Sequence, residues 1–336
     1  MRVVLYAVVA LLLVGLAFDG GKAAAEVAQI RLAQQHDVTV LPLMIVQHEG
    51  MLENRVSAAI SDPVTMDWVA PLDPNAEMDL LLSGQADAIV ADLPALAAMW
   101  DKTLGGSQEI RAIAAIRSAP YLLLTRNPAV RRLRDFTDKD RIAVPAKASG
   151  PAVVLAMAAA REWGADRHGR LDPLMVARSH EDAATALTSP KSEIDADIAP
   201  WPYYYDELGA PGIRKLLTSY DVAGRHSAAL VLTTKKFHDA NPKLCAALAA
   251  TLQDADTLIK KNPGEAAEIF RVMDRQGGIS VEELTDLIND PDIEFTTTPA
   301  GVMKFAEFMN CIGMIQHKPG EWKDLFFPEA QDLPGG

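Results

Sequence analysis

The chain has 336 residues, 45 of them acidic and 32 basic, and a formal net charge of −13. A negative surplus of this size repels phosphodiester backbones and anionic lipid, which excludes nucleic acid and anionic membrane as principal partners. The length suffices for two ordinary domains, and an anionic ligand would need a local positive site to overcome the global field.

In chain order, Arg2, an apolar run over 3–18 and the small residues Ala23, Ala24 and Ala25 have the layout of a secretory signal peptide, with cleavage expected after Ala25. The run is shorter than the ~20 residues a spanning helix needs, and no second run of that length follows. The expected mature chain keeps 30 basic and 44 acidic residues. An exported protein is free to form disulfides. Cys245 and Cys311 both fall in helical patterns, however, and the expectation is two buried thiols.

A strand over 30–33 ends at Gln34, Gln35, His36 and Asp37. Leu41 opens a helix through Gln47, with Pro42 tolerated in its first turn, and Gly50 ends it. A strand over 64–69 follows. Then comes a unit of helix, turn and strand: Met78, Leu80, Leu81 and Leu82 give the helix face, Ser83-Gly84 the turn, 88–90 the strand and Asp92-Leu93-Pro94 the loop at its end. Strands are expected over 110–116 and 121–125, the second as a crossing between lobes. A polar turn leads to a strand over 142–144. Ser149, Gly150 and Pro151 open an alanine-rich helix through Trp163, with serine at the cap and proline just inside. A strand over 174–176 precedes a second unit. Its helix face is Ala183, Ala184, Ala186 and Leu187, its turn 189–192, its strand 194–199 and its loop the aromatic run Trp201-Pro202-Tyr203-Tyr204-Tyr205. The two units lie about 110 residues apart and predict two similar α/β lobes across a cleft. A strand over 228–233 is the expected return crossing. The chain is helical from Phe237, ending in a helix over 299–315.

Ligands of open α/β sheets bind beyond the carboxyl ends of strands. That rule selects the candidates. Trp201 and Tyr203 would wall an apolar or aromatic part, and Tyr204 would donate a hydroxyl. The N–H groups of Ser149 and Gly150 would meet an anionic end. Arg225 or His226 would add positive charge from the return crossing, and Gln35, His36 and Asp92 would supply directional hydrogen bonds. Asp37 and Asp92 point the other way, toward a cationic or amine-bearing solute, which the aromatic run would also suit. The alternative for Tyr204 and Tyr205 is packing beneath the loop. Catalytic signatures are absent: there is no nucleophile elbow, no paired-histidine zinc helix and no phosphate-cradling loop. The stretch 274–283 has the outline of a calcium-binding loop, but Val272 stands where that loop needs a carboxylate. It reads instead as a helix-to-helix connection with Ser280 and Glu283 as a capping box. No metal or cofactor is expected.

Several runs resemble one family in order along nearly the whole mature chain. They are Ile30-Arg31-Leu32-Ala33-Gln34, Leu41-Pro42-Leu43, Glu49-Gly50-Met51-Leu52-Glu53, Leu82-Ser83-Gly84-Gln85-Ala86-Asp87, the run from Phe136-Thr137-Asp138 to Val144-Pro145, and the run from Asp195 to Tyr203. They resemble the nitrate/sulfonate/taurine type of substrate-binding protein of ABC importers. The resemblance implies the type II periplasmic binding fold, an α/β fold of two lobes with two crossing strands and a central ligand cleft. It implies a leader over 1–25, a first lobe over 26–121, a second over 122–225 and a return to the first over 226–336. It also implies hinge closure at 121–126 and 222–228, a periplasmic monomer, and an inner-membrane permease with its ATPase as partner. The family resembles thiamine-pyrimidine synthases, whose cysteine-rich motif is missing here, and a periplasmic sensor input would use the same binding physics. Gln35-His36-Asp37 and the aromatic run depart from the taurine and sulfonate patterns. The expected solute is therefore a small organic anion, sulfonate- or carboxylate-like, with its identity open.

Overall fold

The computed structural model describes residues 26–33, 37–57, 64–69, 77–274 and 279–336. The expected leader over 1–25, and Gln35 and His36 with it, lie outside these residues.

The first half begins with β1 (Gln29–Ala33), α1 (Leu41–His48), α2 (Met51–Ser57) and β2 (Thr65–Val69). It continues through α3 (Glu77–Ser83), β3 (Ala88–Ala91), α4 (Leu93–Thr103) and β4 (Ile110–Ser118). The second half holds β5 (Tyr121–Thr125), β6 (Ile142–Val144), α5 (Gly150–Trp163), β7 (Met175–Ala177) and α6 (His180–Thr188). It ends with β8 (Ala196–Pro200), α7 (Tyr203–Gly209), β9 (Arg214–Thr218) and α8 (Ser219–Ala223). The chain then returns in β10 (Ser227–Thr234). Among the described residues six α-helices follow: α9 (Lys235–Ala240), α10 (Pro242–Lys261), α11 (Pro263–Met273), α12 (Val281–Ile288), α13 (Val302–Cys311) and α14 (Pro328–Gln331).

The described residues form two five-stranded sheets, ordered β2-β1-β3-β10-β4 and β7-β6-β8-β5-β9. In the first, β1 runs parallel to β2 and β3, and β10 is antiparallel to β3 and β4. In the second, β6 runs parallel to β7 and β8, and β5 is antiparallel to β8 and β9. The two plans are the same. Each half contributes its own strands in the order second, first, third and fourth, and the antiparallel strand between third and fourth arrives from the other half. The repeated helix–turn–strand units, α3–β3 and α6–β8, occupy this same third position. The internal repeat read from the sequence is thus the repeat of the fold.

The chain passes between sheets at Ala119-Pro120, just ahead of the strand over 121–125, and comes back through α8 and Gly224-Arg225-His226. A third segment runs beside the first crossing: Ser118 and Glu294 exchange backbone hydrogen bonds of 2.7 and 2.9 Å. The first six residues of helix α1 lie inside, with Leu41, Leu43, Met44, Ile45 and Val46 all buried. Each such side chain stabilises the fold by about 1.5–3 kcal/mol relative to leaving it in water.

Three local expectations are corrected. Asp92-Leu93-Pro94 is a helix start: Asp92 caps α4 and Pro94 sits in its first turn, where no N–H is needed. Tyr203, Tyr204 and Tyr205 open helix α7 instead of forming a loop. Both cysteines are unpaired, but only Cys245 is buried. Cys311 ends α13 off the face that carries Val302, Phe305, Ala306 and Met309, and is exposed. The capping box of Ser280 and Glu283 is present at the start of α12. Among the described residues, no helix is long and apolar enough to cross a membrane.

Candidate functional site

A cleft of about 440 Å³ opens where the two sheets face each other. Asp92, just past β3, and Arg117, near the end of β4, line it from the first half; Tyr121, Ser149, Gly150 and His180 line it from the second. Strand ends deliver these groups. Most of the remaining wall is small and apolar, including Ala91, Ala146, Ala148 and Ala228.

Arg117 stands out energetically. It is 5% exposed, and its Nε and Nη1 have no hydrogen-bond partner among the described residues. Burial pulls its pKa below the ordinary arginine value, and Asp37 is the carboxylate whose charge most offsets this. A buried cation with open donors costs free energy until an anion meets it. The guanidinium lies over the Trp201 ring, 5.0 Å from its centroid. Trp201 is 1% exposed and meets Phe295 edge-on, with centroids 6.0 Å apart. Trp201 is therefore the floor beneath Arg117, not a wall against a solute.

Asp92 is engaged on both oxygens. Oδ1 accepts the N–H of Ala95 at 2.9 Å, and Oδ2 accepts the Tyr121 hydroxyl at 2.9 Å. Oδ2 also lies against Gly150 at the start of α5. Burial raises its pKa against the pull of these donors. Ser149 precedes α5, but its hydroxyl donates back to the carbonyl of Ala146 at 2.7 Å and caps no helix N–H group. Glu77, at the rim, is pushed up to about 8 by burial, with the charge of Asp92 adding to it. Burial pushes His180 down to about 4, so it stands as a neutral imidazole, and its Nδ1 has no partner among the described residues.

The other expected residues sit elsewhere or serve the frame. Asp37 caps the turn after β1 by accepting the N–H of Thr39 at 2.7 Å. Tyr203 is half-buried, with its ring centroid 5.9 Å from that of His180. Tyr204 is buried and packs on Tyr205, whose hydroxyl donates to Asp290. Arg225 does not supply charge to the cleft. It donates to the carbonyls of Pro291 and Asp292 and lies 3.9 Å from Glu294. His226 is 1% exposed and hydrogen-bonded to Ser219 at 2.8 Å, and the Ser219 hydroxyl oxygen in turn accepts the Tyr121 N–H at 2.9 Å. Burial pushes its pKa down to about 4, so it is neutral and ties the two crossings together. Arg117, Tyr121, Glu77 and His180 were not anticipated. The signal for Arg117 was a cation that follows the apolar run over 112–116, three residues before the proline of the crossing.

No family model matches the chain, and no curated protein does. Solved structures do. The alkanesulfonate-binding protein SsuA of Xanthomonas axonopodis pv. citri, solved bound to MOPS, superposes with a TM-score of 0.67 at 18% identity, over 90% of this chain and 99% of that one. The periplasmic aliphatic sulphonate-binding protein SsuA of Escherichia coli gives 0.66 at 16% identity, over 93% and 95%. A Candida albicans protein described as having the generic periplasmic binding protein fold gives 0.61 at 16%, over 92% and 98%. The fold is that of a type II periplasmic binding protein. In such a fold the two sheets are the two lobes, the passages at Ala119-Pro120 and through α8 are the joints between them, and Arg117 sits at the first joint facing the cleft.

Proposed function

We propose that the protein is the periplasmic solute-binding component of an ABC importer and captures a small organic anion between its lobes. One observation carries this reading: the buried Arg117 guanidinium in the interlobe cleft, its Nε and Nη1 without partners among the described residues. Sulfonate and carboxylate groups both offer acceptors for such donors. The small apolar lining suits the rest of a compact solute. The similarity to two sulfonate-binding proteins supports the same class. In this reading residues 1–25 are a cleaved leader, 26–121 with 226–336 form one lobe, and 122–225 form the other. The protein acts as a monomer that closes on its solute and presents it to an inner-membrane permease with its ATPase. Asp92, Ser149 and Gly150 border the solute, with Arg117 as its anchor and Tyr203 beside His180.

Thermal shift against a panel of sulfonates, carboxylates and polyamines tests the reading, with mass analysis of the recovered solute. Saturable stabilisation by an anion, recovered unchanged and lost in Arg117→Gln, is the expected result. Turnover of the solute would make the protein an enzyme, and tight binding of a polyamine but no anion would reverse the charge assignment. Small-angle scattering should show a smaller radius of gyration at saturation, since lobes that close by hinge motion become more compact.

A further inference from the structure

The contacts of Asp92 join the lobes. It lies between β3 and α4 and accepts the N–H of Ala95 within its own lobe. Its Oδ2 accepts the hydroxyl of Tyr121, at the start of β5 in the second sheet, and lies against Gly150 of the opposite lobe. Gly150 opens α5, a helix of 14 residues whose first N–H groups have no acceptor inside the helix. A solute's anionic group would find its most favourable backbone site there. The protein's own carboxylate occupies it. The approach is close: a Cβ on Gly150 would fall 2.1 Å from Asp92 Oδ2 and 2.7 Å from the Tyr121 hydroxyl, so a side chain there would push the Asp92 carboxyl aside. Arg117 lines the same cleft, with Nε and Nη1 buried and without partners among the described residues.

We propose that Asp92 is the specificity-determining residue of the cleft: it fills the N-terminus of α5 from the opposite lobe, keeps a solute's anionic group from that helix, and leaves Arg117 as the anion acceptor. The inference rests on the solute-binding reading above. It predicts a cleft that takes one anionic group, with a second one turned away by the Asp92 carboxylate.

Asp92→Ser vacates the position yet keeps a capping oxygen for Ala95. Calorimetry with sodium sulfate would compare the wild-type protein, Asp92→Ser and Asp92→Ser/Arg117→Gln. The expected result is a gain in sulfate affinity of about tenfold or more in Asp92→Ser, retained in the double variant because the helix end holds the ion. A cooperatively melting Asp92→Ser with no gain would overturn the assignment, and so would a gain that vanishes with Arg117. Asp92→Asn keeps the shape and should gain clearly less than Asp92→Ser; an equal gain would mean that charge alone, not occupancy, excludes the anion. If Asp92→Ser does not fold, Asp92→Thr takes its place with the same expectations. A wild-type protein that binds no organic anion in the panel would end the Arg117 reading, whereas a missing sulfate gain ends the Asp92 assignment alone.

Discussion

Arg117 is placed at a cost to the empty protein, and that cost is measurable. Its guanidinium is buried with two donors unsatisfied, so a residue of similar length without charge should relieve the frame. Arg117→Met is expected to raise the stability of the unliganded protein by on the order of 1–4 kcal/mol in chemical denaturation, while binding of the identified anion is lost. A destabilised Arg117→Met would show that the arginine is chiefly a packing element. Trp201 supports this cation through its ring face. Trp201→Phe should keep the fold and weaken anion affinity by about 5- to 30-fold, the loss of part of a desolvated cation–π contact. Unchanged affinity in that variant would separate the tryptophan from the site. At this scale the sequence is unevenly legible. The aromatic run was conspicuous, and its aromatic character drew the expectation of a binding wall. What decides its role is position: Trp201 directly follows β8, pointing beneath β4, and this depends on the pairing of strands about 80 residues apart.

Elements were legible wherever a local rule settles them. Strands over 121–125 and 142–144 and the helix from Gly150 to Trp163 have the bounds expected, because Pro120, the polar turn before Ile142 and Ser149-Gly150-Pro151 act locally. Helix α7 was not legible, since three consecutive tyrosines have no helical periodicity; tertiary packing of Tyr204 and Glu207 holds it. Strand β9 also escaped notice, because its residues are only half-buried and lack alternation. The capping box of α12 is a local device and gives a local prediction. Ser280 Oγ accepts the Glu283 N–H at 3.2 Å, and Glu283 reciprocates by accepting the Ser280 N–H at 2.9 Å. Ser280→Ala should cost about 0.5–2 kcal/mol, read as a lower denaturation midpoint at unchanged slope. A loss confined to hydrogen-exchange protection of α12, with no change in the midpoint, would show that this helix opens separately from the rest.

For the whole molecule, the matching strand orders explain why two short units in the sequence were informative: each is the third strand of a lobe, preceded by its helix. The crossings were harder to place, because a crossing strand and a sheet strand have the same composition. Global stability carries a further consequence of the buried acids. Asp197 in β8 is 1% exposed and Glu207 in α7 is fully buried. As two bare carboxylates they would have no donor between them; a shared proton supplies it. Burial raises both, and for Glu207 the neighbouring Asp197 charge adds to the rise. Asp256 in α10 is pushed by burial from its ordinary 3.8 up to about 8. Each group binds its proton more tightly folded than unfolded, so the folded state carries more protons across this window, and stability falls as pH rises through it. The melting temperature should therefore decline between about pH 5 and pH 8, on the alkaline side of the usual carboxylate range. Glu207→Gln imitates the protonated acid. It should leave the protein as stable as wild type at pH 5, more stable at pH 8, and with a flatter profile between. A parallel profile in Glu207→Gln would mean that the Asp197–Glu207 pair does not titrate with unfolding, and the decline would then be assigned to Asp256 and tested in Asp256→Asn.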